Sequence, residues 1–587
     1  MMFALLAWVG ADAASMPSSS RFLANPDTGR SLLQRTADFW KGYRDDGNGG
    51  YNAVVSASGR GSGDTKYFSP QSRLAYVFTR AFMVTGDTTY LNHAEHALEF
   101  LYAHAWDPSG IGGWFYQAES DGTVPLPDST RWSYMQHYAL LGPTVFWEAH
   151  GGQTFARASG AISHGDWVRR GSDWLERNLW DRTPGREGYY TNWAPTGGVG
   201  KGFTGTVDGI TTHGEALALI TGDSAHARRF LSLGDAMVEH LAAALDSPKV
   251  VLGMPEEFTT DWNLDTIGYA MVGHIVKTVW CLDRVYLFHQ DSRYLAAAEK
   301  VFRRVWSNGM VDTTLGGVFY DYDWSKANSV TTRKNYWMLE QGFNAGITLA
   351  NLTGDPLVRE RALRMAEGSA DFFYKYFYQK NGAAIMSTNA SGTGLSTVLG
   401  DEWDAGYHAS EFSWLVYLYG HLLHHRDSVA LFYRLAPSAE SQDIRLSPMA
   451  LPGDSLAILS VEKDGSSFGR FDQVGRTLHL QPGEGGIFRV VFGWRNSRMG
   501  SVGAPTSGRA WNAVWDRRAR CVRLDLPSAM DLKVRVVDAK GGLRADLGMR
   551  IFPSGASTLE VPRSSSGGLR WVLLDANGER RVVPLGL

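Results

Sequence analysis

Hydrophobic side chains recur at helical spacing through most of the first 425 residues. Between Ser72 and Val84, the residues Leu74, Val77, Phe78, Ala81 and Phe82 fall on one face of a 3.6-residue period. After a Thr-Gly-Asp step, Leu91, Ala94, Leu98 and Leu101 do the same. The glycine suits a helix C-terminus and the aspartate caps the next helix. The same punctuation returns at Gly86-Asp87, Gly165-Asp166, Gly222-Asp223, Gln290-Asp291, Gly354-Asp355 and Arg426-Asp427, so one supersecondary unit is used six times at irregular intervals. Most of these turns are followed by a Gly-rich aromatic or apolar patch: Gly112–Tyr116, Gly188–Tyr190, Val250–Gly253, Gly316–Tyr320 and Gly382–Ile385. Those patches predict short strands or hairpins in long loops. Six antiparallel helix pairs close most economically into a double ring of six inner and six outer helices, with the long loops gathered at one end over a central pocket.

Beyond about Asp427 the period changes to two. Leu456–Val461, Leu478–Leu480, Ile487–Phe492, Cys521–Leu526, Leu532–Val537 and Leu569–Leu574 are separated by Gly, Pro and Ser turns, which predicts a β-sandwich. The chain therefore divides into a leader or tail (1–20), a helical catalytic domain (21–430) and an accessory β domain (440–587). The first fifteen residues carry an apolar core and an Ala11-Asp12-Ala13 cleavage-like site but no basic flank. They read as a signal peptide, which predicts a secreted or periplasmic protein. No other stretch approaches the roughly 20 apolar residues of a membrane span.

Composition narrows the partners. A net charge of −3, a pI near 6.6 and the lack of a long basic run argue against nucleic acid. The 21 Trp, 24 Tyr and 27 Phe supply flat apolar faces with polar edges, which suit sugar rings, so a mono- or oligosaccharide is the expected substrate of a monomer or homodimer. Only Cys281 and Cys521 are present, in different predicted domains, so neither a disulfide nor a thiolate metal site is expected. Neither a Rossmann fingerprint nor a P-loop occurs in the chain.

The chemistry centres on Asp261–Trp280, where Gly273-His274 opens a helical run and His274 and Lys277 share one face. From Lys66 to Leu423 the motifs resemble the N-acylglucosamine 2-epimerase superfamily, which includes cellobiose 2-epimerases and aldose-ketose isomerases. Gln71-Ser-Arg73-Leu-Ala-Tyr76, Thr85-Gly86-Asp87 and Gly112-Gly113-Trp114 are similar to its opening block, with Tyr134 at a pocket position. Glu257-Phe258, Asp261-Trp262 and Gly273-His274 are similar to the segment bearing one catalytic histidine, and Trp403 with Tyr407-His408 to the segment bearing the other.

The resemblance implies an (α/α)6 barrel and proton transfer at C2 of a sugar by His274 and His408, without metal or cofactor. Arg73 would orient sugar oxygens, while Trp262, Trp337 and Trp403 would stack on rings. The chain departs from the family pattern in several places. Family members read Gly-His-x-x-Glu and Tyr-His-x-x-Arg, whereas this chain has Lys277 and Glu411 at those final positions. The register gives Gln341, with Glu340 one place off, for a pocket Glu, and His213 and Glu215 fall near a further family His and Glu.

Three residues along a helix, Lys277 disfavours a charged His274, which is expected to be the neutral base, and Glu411 favours a charged His408, the expected protonated acid; where the two helices face each other, Lys277 and Glu411 are expected to attract one another as well. Two rivals stay open. A glycoside hydrolase or polysaccharide lyase would use paired carboxylates drawn from Asp208, Glu256, Glu257, Asp261, Asp265, Asp401, Glu402 and Asp404. A non-catalytic sugar-binding protein would follow from a spoiled acid-base pair.

Overall fold

The computed structural model describes residues 20–495, apart from 125–128, 158–159, 395 and 397, and the strands between 512 and 585. The stretch read as a signal peptide lies outside the described residues. Among the described residues no helix is long and apolar enough to cross a membrane.

Helices alternate between an outer and an inner layer. The outer helices are α1 (Asp27–Lys41), α3 (Thr89–His104), α5 (His164–Trp174), α8 (Ser224–Ala236), α10 (Ser292–Ser307) and α12 (Pro356–Phe372). The inner ones are α2 (Phe68–Thr85), α4 (Ser133–His150), α9 (Val272–Phe288), α11 (Tyr336–Leu352), α13 (Tyr407–Tyr419) and a broken third member. That member is α6 (Phe203–Gly209), a π turn (Ile210–Gly214) and α7 (Glu215–Thr221). Each inner helix packs on the next and α13 returns to α2, which closes the ring.

The burial patterns explain the two layers. α10 buries Tyr294, Ala297, Ala298, Val301, Phe302 and Val305, one stripe of an amphipathic helix, whereas α2 buries every residue from Phe68 to Val84.

The inner-to-outer turns work as their sequences predict. Gly86 and Gly222 end α2 and α7 in the left-handed region, at φ 77° and 65°. Asp223, Asp291 and Asp355 accept hydrogen bonds from the first backbone N–H groups of the helices that follow. Two of the six predicted turns are different elements. Gly165-Asp166 lies inside the first turn of α5, where Ser163 is the cap, and a hairpin (Thr154–Arg157 with Gly160–Ser163) makes the connection. Arg426-Asp427 leads into a strand, Val429–Leu435, rather than a helix.

At the opposite end a short strand precedes each inner helix and pairs with the long loop of the neighbouring repeat. The pairs are Thr65–Tyr67 with Gln117–Glu119, Arg131–Trp132 with Asn192–Ala194, Lys201–Gly202 with Glu257–Phe258, Tyr269–Met271 with Asp321–Asp323, and Lys334–Asn335 with Ser387–Thr388. Val54–Ser56 with Val398–Gly400 joins the last repeat to the first. The predicted Gly-rich patches mostly form isolated bridges beside these pairs, such as Trp106 with Trp114 and Val311 with Val318. In four repeats a buried cation beside the pre-helix strand is ion-paired at the loop: Lys66–Asp45, Arg131–Asp107, Lys201–Asp181 and Lys334–Asp312. Buried charges persist only when paired, so these bonds fix where those four inner helices start.

The β region is divided where the sequence showed no break. The chain separates into one compact unit up to Ser497 and another from Arg498 to Leu587. Strand Val429–Leu435 pairs along its length with Gly486–Trp494, which also pairs with Leu456–Lys463. Their inward residues Leu431, Tyr433, Val490 and Phe492 belong to the same apolar core as the barrel helices. Phe432, Ile444 and Arg445 lie where Cβ atoms on Gly86, Gly151 and Gly222 would stand, so this segment covers the short-turn end of the ring. Residues 440–495 therefore complete the barrel unit instead of starting an independent 440–587 domain. In the second unit, a three-stranded and a four-stranded antiparallel sheet share a small core that includes Val522, Leu524, Leu532, Val534, Val572 and Leu574.

Candidate active site

Arg73, Tyr134, Asp208, His274, Lys277, Trp337, Glu340, His408 and Glu411 all lie in the first two turns of inner helices. The N-termini of those helices sit at the loop end, so their partial positive charges converge with these side chains.

Trp337 organises the centre. Its ring lies 5.2 Å from that of His274 and 5.8 Å from that of His408. A Cβ at position 273 would stand 2.3 Å from the indole, so the glycine of the Gly-His pair lets Trp337 cover the start of α9. Each imidazole has a carboxyl group at Nδ1. Glu256 Oε2 lies 2.8 Å from His274 Nδ1, and Glu256 Oε1 accepts the Met271 N–H just before α9. Glu340 Oε2 lies 3.1 Å from His408 Nδ1. The His408 contact is a hydrogen bond that orients the ring, whereas the His274 contact is an ion-pair distance without hydrogen-bond alignment, and Nε2 is in each case the nitrogen left for a substrate.

The surroundings of the two rings differ. His274 stacks on Phe203 at 3.9 Å and keeps 20% of its side chain exposed. His408 is buried, and burial, followed by Arg73, Lys277 and His274, holds its pKa well below the usual imidazole range. It is neutral at pH 7. The expectation that Glu411 makes His408 the protonated acid is therefore corrected: three cationic or ionisable neighbours oppose the charge, and the ring's own partner is Glu340.

Glu340 is fully buried and accepts from Gln341 and Asn344 side-chain amides. Its carboxyl also contacts that of Glu411, and His408, Glu340 and Glu411 offer ligand atoms within 4.8 Å of one another. Burial first, and Glu411 second, hold Glu340 far above the usual carboxylate range. This is the one group of donors among the described residues close enough to hold a metal ion.

Lys277 is buried against Asp208 at 2.6 Å and reaches the Tyr138 hydroxyl at 3.2 Å. Burial disfavours its charge, but Asp208 prevails and the ammonium titrates above its ordinary value. The predicted Lys277–Glu411 attraction gives way to this pair, because Asp208 on α6 sits directly opposite on the inner face. Arg73 donates to the Trp403 carbonyl and, at 2.9 Å, to the Tyr134 hydroxyl, and its guanidinium lies 4.0 Å from the Tyr138 ring. Asp404 stands 3.7 Å from Arg73, and burial lifts its pKa to about 6.

The chain matches the family profile described as N-acylglucosamine 2-epimerase (GlcNAc 2-epimerase) over residues 49–411. It belongs to the N-acylglucosamine 2-epimerase family. Over 123 residues it is 30% identical to a cellobiose 2-epimerase of Eubacterium cellulosolvens, a stretch that makes up 21% of this chain and 30% of that relative. The chain thus spans less than a third of that curated relative's length. The solved structure of D-mannose isomerase is 18% identical, with a TM-score of 0.58 over 69% of this chain and 99% of that one. Cellobiose 2-epimerase from Bacillus thermoamylovorans B4167 is 17% identical, with a TM-score of 0.56 over 66% of this chain and 97% of that one. At these identities the two structures speak for the fold alone.

Within this family member the remaining candidates scatter. Trp403 is partly exposed at the mouth, 5.6 Å from Trp132 and 5.8 Å from Tyr134, as a stacking surface would be. Glu257 sits beside His274, and burial with Glu256 and Asp265 nearby raises its pKa to about 7. Trp262, at φ 60°, stacks flat on His240 at 4.2 Å and donates to the Glu187 carbonyl, so it pins a loop outside the pocket. Asp261 is exposed and pairs with Arg186 at 3.1 Å. Gln341 accepts from Trp280 Nε1 at 2.7 Å and positions Glu340.

His213 stacks on His137 at 5.4 Å and lines a cavity of about 660 Å³ on the barrel flank. Glu215 pairs with Arg284 at 3.3 Å in a small interior cavity that Glu411 also lines. The residues that sequence reasoning passed over are Glu340, Glu256 and Asp208 as partners of His408, His274 and Lys277. Glu340 carried a readable signal: with Asn344 it forms an i, i+4 polar pair inside an otherwise apolar helix.

Proposed function

We propose that the protein is an isomerase that moves a proton at C2 of a free reducing sugar, giving the C2 epimer or the corresponding ketose. The observation that carries the proposal is the pair of imidazoles flanking Trp337 from two inner helices, each with a carboxyl group at Nδ1. Neutral His408 takes the C2 proton on Nε2. The electron pair moves into the C1–C2 bond, and O1 becomes an oxyanion facing buried Arg73 and Lys277 and the converging helix N-termini. His274 gives a proton to C2 from the other side; for ketose formation that proton goes to C1, and the O2 hydroxyl proton passes to O1 as the C2 carbonyl forms. Trp337 and Trp403 supply faces on which a pyranose stacks.

Two readings compete less well. A hydrolase would draw on carboxyls titrating near neutrality, and Asp404 and Glu257 qualify, but Asp261 is surface-paired and Asp401 accepts the backbone N–H groups of Trp403 and Asp404. A purely sugar-binding protein has no use for two imidazoles each set against a carboxyl group. Incubating a panel of free aldoses and disaccharides with the protein in deuterium oxide tests the proposal. Deuterium appearing at C2 with a new epimer or ketose is the expected proton-NMR result, and release of reducing ends without exchange at C2 would replace it with the hydrolase.

A further inference from the structure

Glu411 stands where the family usually has an arginine, and it puts a second buried carboxyl against Glu340, the group that faces His408 Nδ1. Two carboxylates in contact at a fully buried site do not both ionise. Glu411 Oε2 is itself buried and without a hydrogen-bond partner. We infer that Glu340 and Glu411 hold one proton between them, and that this proton passes from Glu340 to Glu411 when His408 is protonated, which makes Glu411 a positioning residue for the base. This rests on His408 being the base of the proposed reaction.

At rest the proton lies on Glu340, and His408 faces a neutral carboxyl. When Nε2 takes up the substrate proton, the proton on Glu340 crosses one hydrogen bond to Glu411. Glu340 is then a carboxylate beside an imidazolium, stabilised by the Gln341 and Asn344 amides it already accepts from. No proton is gained or lost by the pair. A base built this way is neutral before the reaction and ion-paired after it, so the stabilisation acts only as charge develops.

The charged groups around the pair are consistent with one proton. From α9, Lys277 is already neutralised by Asp208 on α6, and Arg284 by Glu215 on α7. Arg80 on α2 is paired with Glu148 on α4 at 2.9 Å, and Arg73 on α2 faces Asp404. Each nearby cation thus has its own carboxylate, and no cation remains among these for a second negative charge on the pair. Tyr76, Tyr407, Tyr419 and Cys281, the other ionisable groups facing Glu411 or Glu340, are held neutral by burial.

The test needs no turnover. The full chain, labelled at the histidine Cε1 carbons, is titrated by NMR, and the His408 signal is assigned by its loss in His408→Ala. Glu411→Gln removes the acceptor for the Glu340 proton and leaves Glu340 a neutral acid held by burial, so the His408 transition should fall by roughly one to three pH units. Glu340→Gln removes the carboxylate that forms beside the imidazolium, so the His408 transition should fall here too. A Glu411→Gln transition that coincides with wild type overturns the inference. So does a Glu340→Gln transition that coincides with wild type, because it would mean no charge develops on Glu340 when His408 is protonated, and this second variant decides the matter if Glu411→Gln fails to fold. Metal retained stoichiometrically by purified wild type and lost from Glu411→Gln would overturn it as well. Absence of C2 exchange with every sugar would sink the proposed reaction while leaving the titration result standing.

Discussion

His274 and His408 stand at matching places, the third residue of α9 and the second of α13, on either side of Trp337, yet they are wired differently. His274 meets Glu256 from a loop and keeps part of its ring accessible. His408 meets Glu340 inside a sealed network of carboxyls, amides and cations. The difference teaches that one proton position exchanges with the mouth, while the other is set by buried neighbours. Equivalent residues on a pseudo-symmetric ring need not have equivalent chemistry.

The largest expected effect tests whether both rings matter. His408→Ala and His274→Ala should each lower kcat by about 10²- to 10⁴-fold, the usual contribution of a general acid or base, with Tm nearly unchanged. A variant that keeps full activity would remove that ring from the pair.

A third histidine sharpens the contrast. His213 is buried on the flank, and burial lowers its pKa to about 4 from the ordinary 6.5. A depressed histidine contributes stability that is full above pH 6.5 and is lost as the pH falls towards 4, by up to about 3 kcal/mol. His213→Gln should flatten that part of the acid limb of a urea-derived stability profile while leaving the pH dependence of turnover in place. A shift in the turnover profile would return His213 to the site.

The two carboxylate partners should differ in what their loss costs the fold. Glu340→Ala leaves buried amides of Gln341 and Asn344 without their acceptor, which costs about 1–3 kcal/mol per unsatisfied group in urea unfolding. Glu256→Ala sits nearer the solvent and should cost less. Equal losses would mean the two networks are equally sealed. The smallest effect belongs to the rim: Asp261→Asn, exposed and paired only with Arg186, should change kcat/KM by less than about twofold, and a large loss there would revive a carboxylate mechanism.

Much of the barrel was legible because helix periodicity and Gly-Asp punctuation are local signals, read within a dozen residues. Gly165-Asp166 misled because a Gly-Asp pair fits the first turn of a helix as well as a turn between helices. The β region misled because alternation reports a strand and not what its buried face packs against, so residues 429–494 looked no different from those beyond 512. His274, His408, Arg73 and Trp337 were legible through their resemblance to a family.

The sequence by itself determined which segments are helical, where their inner-helix N-termini lie and which residues those ends carry, because propensity, capping and period act along the chain. Only the tertiary structure decided partnership. Lys277 meets Asp208, His408 meets Glu340 and Glu340 meets Glu411 because closing the ring brings helices distant in sequence to one axis. At burial this deep, a charge is governed by what stands a few ångströms across the ring rather than by what lies three residues along the helix.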